Sequence, residues 1–201
     1  MRLDRTSSAC ARSYICCTKR SVSSAIRVRS ARTAGIHAFY VTLHVMTATR
    51  IAPYAEDRAA LRSLFRLADD SDPEIERYLW RGTILVATEG DAIVGYVQIV
   101  DTDVATTCEL KSLAVVEAHR GLGLGRQLIE AGLAYARERG ATRALIATGA
   151  ADTHLLRFYQ RIGFRMLRVE RDAFTPAAGY PADLFVDGIR LLDRVWLDFT
   201  L

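Results

Sequence analysis

The chain has 201 residues, half of them hydrophobic and a quarter charged, which is enough for a single domain with a sizeable core. This composition excludes collagen-like, coiled-coil and disulfide-scaffold proteins, and no run of sequence approaches the roughly 18 apolar residues of a membrane-spanning helix. The formal net charge of +4 would suit a nucleic-acid partner, but the positive charge is confined to one part of the chain.

The first 49 residues hold eight basic side chains and one acidic side chain, so they carry a charge of +7 and leave −3 for the rest. A mildly acidic body argues against a nucleic-acid partner, and no membrane partner is expected. The segment is rich in arginine and serine, which is typical of an organellar transit peptide; alternatively, translation begins at Met46. Under either alternative we expect residues 1–45 to be a disordered basic extension and residues 46–201 to be the domain.

The cysteines and histidines show no spacing typical of a metal site. Neither a C-x-x-C nor an H-E-x-x-H pattern occurs, so we expect no metal. Cys108 is the one cysteine in the body of the chain, so the sequence predicts no disulfide there. This cysteine usage suits a reducing compartment, and the expected localisation is cytoplasmic.

Hydrophobic periodicity and turn residues predict alternating strands and helices from residue 47 onwards. In chain order they begin with a strand at Thr47–Pro53, helices at Ala55–Ala68 and Ser71–Trp80, and strands at Thr83–Thr88, Ala92–Val100 and Cys108–Val116. After the segment Glu117–Gly125 come a long helix that runs to Arg139, a strand at Arg143–Thr148, a helix at Asp152–Arg161, and strands at Phe164–Arg171 and Ile189–Phe199. A loop at Phe174–Gly188 separates the last two strands. This order predicts a mixed α/β (α+β) fold with one central sheet.

The most informative string is Arg120–Gly125, with the letters RGLGLG, which lies between an apolar strand and the long helix. Glycine lets the backbone take a positive φ and approach a ligand closely, and the amides at a helix start favour an anion such as pyrophosphate. The string is not a Walker loop, since no Gly-Lys-Ser/Thr follows, and it misses the dinucleotide fingerprint because position 126 is arginine. The residues alone therefore predict a phosphate-binding turn.

Two motifs in order make the chain similar to the GNAT superfamily of N-acetyltransferases. Arg120, Gly123 and Gly125 match its acetyl-coenzyme A (acetyl-CoA) signature, and Leu156–Phe164 resembles its segment of an aromatic residue, Tyr, three residues, Gly and Phe. The resemblance covers about residues 47–171, and the closing part of the chain is similar, more weakly, to a bacterial small-molecule branch. It implies the acyl-CoA N-acyltransferase fold, with a central, mostly antiparallel sheet flanked by helices, and it leaves open a homodimer.

The resemblance also implies which residues hold acetyl-CoA, the expected co-substrate. The backbone of one strand would pair with the pantetheine arm, and the amides of the glycine-rich turn would hold the pyrophosphate. The residues so assigned are Leu113, Ala114 and Val115 for the arm, and Arg120, Gly121, Leu122, Gly123, Leu124, Gly125 and Arg126 for the turn. Asp152 stands where many relatives have an asparagine that touches the coenzyme; a carboxylate suits that position only if it points away from the phosphates or caps the helix.

Acetyl transfer to an amine requires a proton donor for the departing thiolate and a proton acceptor for the amine. Tyr159 matches the tyrosine that the family is proposed to place beside the thioester sulfur, and a phenol can donate that proton. Glu109 is the candidate base; the equal alternative is that water is the base and Glu109 is an exposed strand carboxylate. Tyr78 and Trp80 are candidates to line the acceptor pocket, although aromatic residues at a helix end are more often part of the core.

The predicted function is transfer of acetyl from acetyl-CoA to a primary amine of a small molecule or peptide, by direct attack in a ternary complex. Cys108 has no nearby histidine pattern to activate it, so no covalent enzyme intermediate is expected. Two alternatives are a GNAT-fold protein that binds or senses CoA without catalysis, and a nucleotide-binding Rossmann module. The joint presence of Arg120–Gly125 and Tyr159 favours catalysis.

Overall fold

The computed structural model describes residues 49–201, so the predicted basic extension at residues 1–45 lies outside the described residues. The strands are β1 (Arg50–Pro53), β2 (Thr83–Glu89), β3 (Ala92–Asp101), β4 (Thr107–Val115), β5 (Arg143–Gly149), β6 (Arg165–Glu170), β7 (Phe185–Val186), β8 (Ile189–Arg190) and β9 (Arg194–Thr200). The α-helices are α1 (Arg62–Phe65), α2 (Asp72–Tyr78), α3 (Leu124–Glu138) and α4 (Thr153–Ile162), and short 3-10 turns lie at Arg58–Leu61, Glu117–His119 and Pro176–Ala178.

Seven of the strands form one sheet in the order β1-β2-β3-β4-β5-β9-β6. Neighbouring strands are antiparallel except for β4 and β5, which are parallel. The mostly antiparallel mixed sheet that the resemblance implied is therefore confirmed. The two remaining strands, β7 and β8, pair with each other as a separate hairpin.

Different helices cover the two faces of the sheet. Side chains alternate between the faces along each strand, so neighbouring residues of one strand belong to different cores. Val97 of β3 belongs to the core that contains α3 and α4, together with Leu128 and Leu155. Its neighbour Tyr96 belongs to the core under α1 and α2, where its ring stacks on Phe65 with centroids 4.5 Å apart. Across residues 49–201, the structure has no helix of the length and apolarity that a membrane span requires.

The predicted helix Ala55–Ala68 is wrong as a continuous element. The structure has a 3-10 turn at Arg58–Leu61 that runs into the single-turn helix α1. The side chain of Asp57 accepts a hydrogen bond from the amide of Ala59 at 2.9 Å, and the guanidinium of Arg58 donates to the carbonyl of Arg81 at 2.8 Å. These contacts hold a short irregular segment where periodicity alone favours a helix, since tertiary contacts override local propensity.

The last predicted strand, Ile189–Phe199, is two strands, β8 and β9. Asp187 and Gly188 have φ values of +49° and +80°, the left-handed pair that a two-residue hairpin turn requires. The chain therefore folds back so that β8 pairs with β7, and β9 begins only at Arg194 and inserts between β5 and β6. The segment between β6 and β9, residues 171–193, lies over the end of β5 and contributes to the site described below.

Candidate active site

The sheet opens between β4 and β5. These strands pair in parallel from Thr107–Leu110 to Arg143–Ile146, where the register ends. Beyond that point β4 follows β3 to Val115, and β5 follows β9 to Gly149. The divergence starts at a β-bulge, because Lys111 is skipped in the register with β3. The result is a cleft in the middle of the sheet.

The last residues of β4 offer main-chain groups to this cleft. The amide of Val116 donates to the carbonyl of Val94 at 3.0 Å. Main-chain groups alternate along an antiparallel strand, so those of Ala114 face β3 and those of Leu113 and Val115 face the cleft. An extended ligand arm can therefore pair with Leu113 and Val115 as an added strand, whereas Ala114 contributes a buried side chain.

The glycine-rich turn between β4 and α3 is built to expose amides. Gly121 and Gly123 have φ values of +77° and +87°, in the region that side chains other than glycine rarely adopt. The first amide bonded along α3 is that of Gln127, to the carbonyl of Gly123 at 3.2 Å, so the amides of the preceding first turn point out of the helix. Within the described chain, α3 has no side-chain N-cap and no acid in its first turn. The helix dipole there favours an anion.

Two arginines of the motif brace this turn through main-chain carbonyls. Arg120 donates from Nε to the carbonyl of Val115 at 2.9 Å, which ties the turn to the end of β4. Arg126 forms an ion pair with Glu130 at 3.0 Å and donates to the carbonyl of Arg161 at 2.9 Å, which ties α3 to α4. Both side chains hold the turn in place, and their predicted contact with the coenzyme stays a prediction.

Asp152 caps helix α4. Its side chain accepts a hydrogen bond from the amide of Leu155 at 2.8 Å, and burial is the main reason that the pKa of its carboxyl is raised. The carboxylate thus caps the helix. Helix capping is one of the two conditions, given above, under which an aspartate suits this position near the phosphates. Its predicted contact with the coenzyme stays a prediction.

The cleft leads to a cavity of about 80 Å³. Its lining brings together polar and aromatic side chains from β4, β5, β9, α2, α4, the α1–α2 loop and the segment 171–193. Those that carry chemistry are Asp69, Tyr78, Glu109, Lys111, Ser112, Thr148, Tyr159, Phe174, Tyr180, Arg194 and Trp196. No group of three or more potential ligands within residues 49–201 could hold a metal ion.

Tyr159 reaches this cavity from α4. The residue is 3 % exposed and packs with Phe158 and Phe164, at ring-centroid distances of 5.4 Å and 6.1 Å. Burial, helped by the charge of Asp152, raises the pKa of Tyr159 above that of a free phenol. The phenol therefore stays protonated at neutral pH, as a proton donor must.

Glu109 reaches the same cavity from β4, near the point where β4 and β5 part. Its side chain is 14 % exposed, and the Nζ of Lys111 lies 3.4 Å from its Oε1. Lys111 also lies over the ring of Tyr78, 5.3 Å from the centroid. The structure thus brings Glu109 and Tyr159 to one cavity and places Glu109 in an ion pair instead of in open solvent.

Several cavity residues were outside the sequence prediction. Asp69 and Thr148 give no spacing signal, because one lies in a loop and the other within a short apolar strand, and only the fold brings them together. Tyr180 lies in the loop predicted at Phe174–Gly188, for which no site residue was predicted. Of the two aromatic candidates at the end of α2, Tyr78 lines the cavity, whereas Trp80 is 56 % exposed and does not.

Comparison with known proteins agrees with this geometry. Residues 53–164 match the model of the Acetyltransferase (GNAT) family. The chain is 34 % identical over 155 residues to the uncharacterised N-acetyltransferase YvbK of Bacillus subtilis, and the match covers 76 % of this chain and 98 % of that protein.

Two solved structures are similar over the same extent. A Bacillus subtilis acetyltransferase in complex with CoA is 33 % identical, with a TM-score of 0.70, over 77 % of this chain and 99 % of that one. A GNAT family acetyltransferase from Elizabethkingia anophelis with acetyl-CoA bound is 29 % identical, with a TM-score of 0.70, over 76 % and 98 % of the two chains. Family match, identity and fold agree, and this chain belongs to the GNAT family of acetyltransferases.

Proposed function

We propose that this enzyme transfers the acetyl group of acetyl-CoA to a primary amine of a small molecule or peptide, by direct attack of the amine in a ternary complex. The observation that carries the proposal is the shared cavity, because Tyr159 and Glu109 line one space where β4 and β5 part. The open edge of β4 and the exposed amides of α3 lie on the way into that space.

Acetyl-CoA fits this arrangement in two parts. The amides from Gly121 to Arg126 hold the pyrophosphate, since they combine positive φ, exposed N–H groups and the positive end of a helix dipole. The backbone of Leu113 and the amide of Val115 pair with the pantetheine arm, while the carbonyl of Val115 accepts its hydrogen bond from Arg120. This pairing directs the thioester along β4 toward the cavity. The CoA and acetyl-CoA bound in the two similar structures support the choice of ligand.

The chemical step follows from the two polar groups. The amine nitrogen attacks the thioester carbon, and the carbon–sulfur bond of the resulting tetrahedral intermediate then breaks. Tyr159 gives its proton to the departing thiolate, and Glu109 or a water takes the proton that the amine must lose. Holding both reactants in one cleft adds a further acceleration, because it replaces a random encounter by a near-unimolecular step.

The setting of the reaction is also part of the proposal. The thiol of Cys108 is buried and free, which suits the reducing cytoplasm. We place the reaction there, with a small-molecule or peptide amine as the partner and a homodimer as the assembly to be tested by light scattering. The charge of the body supports the absence of a nucleic-acid partner.

Mass spectrometry of amine mixtures incubated with acetyl-CoA and the full chain tests the proposal. We expect an acetylated primary amine whose amount grows in step with the release of free CoA. A thermal-shift series with acetyl-CoA, NAD and ATP runs beside it, because a ligand that binds the folded form raises the melting temperature. Stabilisation by acetyl-CoA without acetylation of any amine would support the non-catalytic alternative. Stabilisation by NAD or ATP alone would contradict the proposal.

A further inference from the structure

Asp69, in the loop between α1 and α2, is a carboxylate in the cavity wall that the reaction above does not use. Its Oδ1 accepts a hydrogen bond from the amide of Ser71 at 3.0 Å, and its Oδ2 accepts one from the hydroxyl of Tyr78 at 3.2 Å. The side chain of Tyr180 acts on the same carboxyl and lowers its pKa. These neutral donors fix the carboxylate in place without neutralising its charge.

The cations that line the cavity are engaged with other carboxylates. Lys111 pairs with Glu109 at 3.4 Å, and Arg194 lies 3.7 Å from Glu170 and over the ring of Phe174. None of the ion pairs within residues 49–201 includes Asp69. Burial is the main reason that the pKa of the Asp69 carboxyl is raised, and the one charged group that acts on it is another carboxylate, Glu74. A cationic ligand would supply a counter-charge.

Thr148 is a second, independent sign that the cavity is completed by a ligand. The residue is 6 % exposed and lines the same cavity from β5. Its Oγ1 is buried and has no hydrogen-bond partner in the described structure. Leaving a buried hydroxyl unsatisfied destabilises the fold, so such groups usually meet a ligand or water. A polar group on the ligand fits beside this hydroxyl.

The remaining walls suit an apolar or aromatic arm. Phe174 and Tyr180 meet edge to face with ring centroids 4.9 Å apart, and Tyr78 and Trp196 complete an aromatic lining. Aromatic faces attract cations and provide apolar contact area for a ligand. The cavity has a volume of about 80 Å³ and opens to the cleft, so these walls meet the amine end of an acceptor and the adjoining part of its arm.

We propose that Asp69 binds the ammonium group of the acceptor, and that the acceptor is a primary amine with a single positive charge on a short apolar or aromatic arm. This inference rests on the proposed acetyl transfer and adds the class of its substrate. The two carboxylates then have different roles. Asp69 binds the charged amine, and Glu109 or a water removes the proton of the amine. A second negative charge on the acceptor is disfavoured beside Asp69 and Glu109.

Calorimetry on the full chain saturated with CoA tests the inference apart from any turnover. The probes are 2-phenylethylamine, 2-phenylethanol, which has the same arm without the charge, and phenylalanine, which adds a carboxylate. We expect 2-phenylethylamine to bind at least about tenfold more tightly than either of the other two, the size of effect typical of a charge-assisted hydrogen bond. Equal affinity for the amine and the alcohol, or no affinity for the amine, would overturn the inference.

The variant Asp69→Asn identifies the residue responsible. It should remove the preference for the amine over the alcohol and raise KM for 2-phenylethylamine at least about tenfold with a smaller change in kcat. Asp72→Asn is the matched control, because Asp72 lies on α2 in an exposed ion pair with Arg66 at 2.8 Å. An unchanged amine preference in a folded Asp69→Asn protein would contradict the inference. If that variant fails to fold, the three probes on the unaltered chain still decide.

The two proposals fail separately. If CoA and acetyl-CoA do not bind, the acetyl-transfer proposal fails. If they bind but the amine preference is absent, the transfer proposal stands and the assignment of Asp69 and of the acceptor class falls.

Discussion

The phenol of Tyr159 meets two requirements of a proton donor, since it lines the cavity and is protonated at neutral pH, where burial holds its pKa above that of a free phenol. A phenol that stays protonated can donate to a thiolate that forms as the carbon–sulfur bond breaks. A phenol that is already protonated cannot accept a proton, so the proton of the amine must leave by another route. Glu109 and water are the candidates within the cavity.

Replacing Tyr159 by phenylalanine removes the hydroxyl and keeps the ring packing against Phe158 and Phe164. We expect kcat to fall by about 10²–10⁴-fold while the Kd for acetyl-CoA changes little, because the hydroxyl acts on the departing sulfur. Tyr135→Phe is the control, since the Tyr135 hydroxyl forms a hydrogen bond of 2.9 Å with the hydroxyl of Thr83, away from the cavity. Unchanged turnover in Tyr159→Phe would remove the assignment of Tyr159 as the acid.

Asp70, beside Asp69, predicts a pH-dependent effect on stability. Burial, and then the charge of Asp69, raise its pKa to about 6, and its Oδ2 is buried without a hydrogen-bond partner in the described structure. A raised acid pKa means that the folded form binds the proton more tightly than the unfolded form. The ionised carboxylate therefore destabilises the fold above about pH 6, and this cost disappears as the pH falls toward the unfolded value.

Asp70→Asn should raise the free energy of unfolding by about 1–2 kcal/mol at about pH 7.5, a value discounted for partial exposure of the carboxyl. The gain should shrink toward zero near pH 4, where the parent carboxyl is protonated. Urea unfolding of parent and variant at both pH values measures it. Asp72→Asn is the comparison, since its ion pair with Arg66 lowers the pKa of Asp72 and predicts no such gain. A gain that is equal at both pH values would contradict the account.

Some of the cavity residues could be predicted from the sequence, and others could not. The motif drew attention to Tyr159, and strand position drew attention to Glu109; both line one cavity, although their roles stay predictions. Asp69 and Thr148 could not be found this way, because a lone aspartate in a loop and a lone threonine in a strand are ordinary residues until the chain is folded. Their significance comes from a missing counter-charge and a missing hydrogen bond, which are properties of the tertiary structure.

Among the elements, the turn from β4 into α3 was the part that the sequence predicted most directly. Glycines at alternate positions indicated positive φ, and Gly121 and Gly123 have it. Gly125, by contrast, lies within α3, and a Cβ added there would meet Phe158 at an ordinary 3.5 Å. The two glycines of the motif, Gly123 and Gly125, therefore differ in how strictly glycine is required.

Gly123→Ala should weaken acetyl-CoA binding by about 5–30-fold, because a left-handed alanine costs about 1–2 kcal/mol and the amides leave their alignment to relieve it. Gly125→Ala is the matched variant and should bind nearly as the parent does. Titration of both variants with acetyl-CoA measures the difference. Equal losses in the two variants would mean that the turn conformation does not govern binding.

Two features of the fold, the hairpin of β7 and β8 and the divergence of β4 from β5, could not be predicted from hydrophobic periodicity. The Asp187-Gly188 pair between Phe185–Val186 and Ile189–Arg190 is a hairpin signal, but the apolar character of the following residues favoured one long strand. The divergence of β4 from β5 also has no sequence signature, since it depends on which strand each one pairs with after Leu110. The motif order implied the mixed, mostly antiparallel sheet, but the cleft within it emerged only from the register.

For the molecule as a whole, the basic extension at residues 1–45 is predicted to lie outside the working domain. A chain of residues 46–201 should bind acetyl-CoA with a Kd within about twofold of the full chain and melt at a similar temperature. A large loss of affinity in the shorter chain would show that the extension contributes to the site.

The central claim is that the turn around Gly123 and the open edge of β4 bind a CoA thioester and direct it to the cavity beside Tyr159. Isothermal titration of the purified full chain with acetyl-CoA tests it most directly. The account predicts saturable binding at one site per chain, competition by CoA and none by NAD or ATP. Absence of binding by any CoA thioester, or displacement of acetyl-CoA by NAD or ATP, would contradict it.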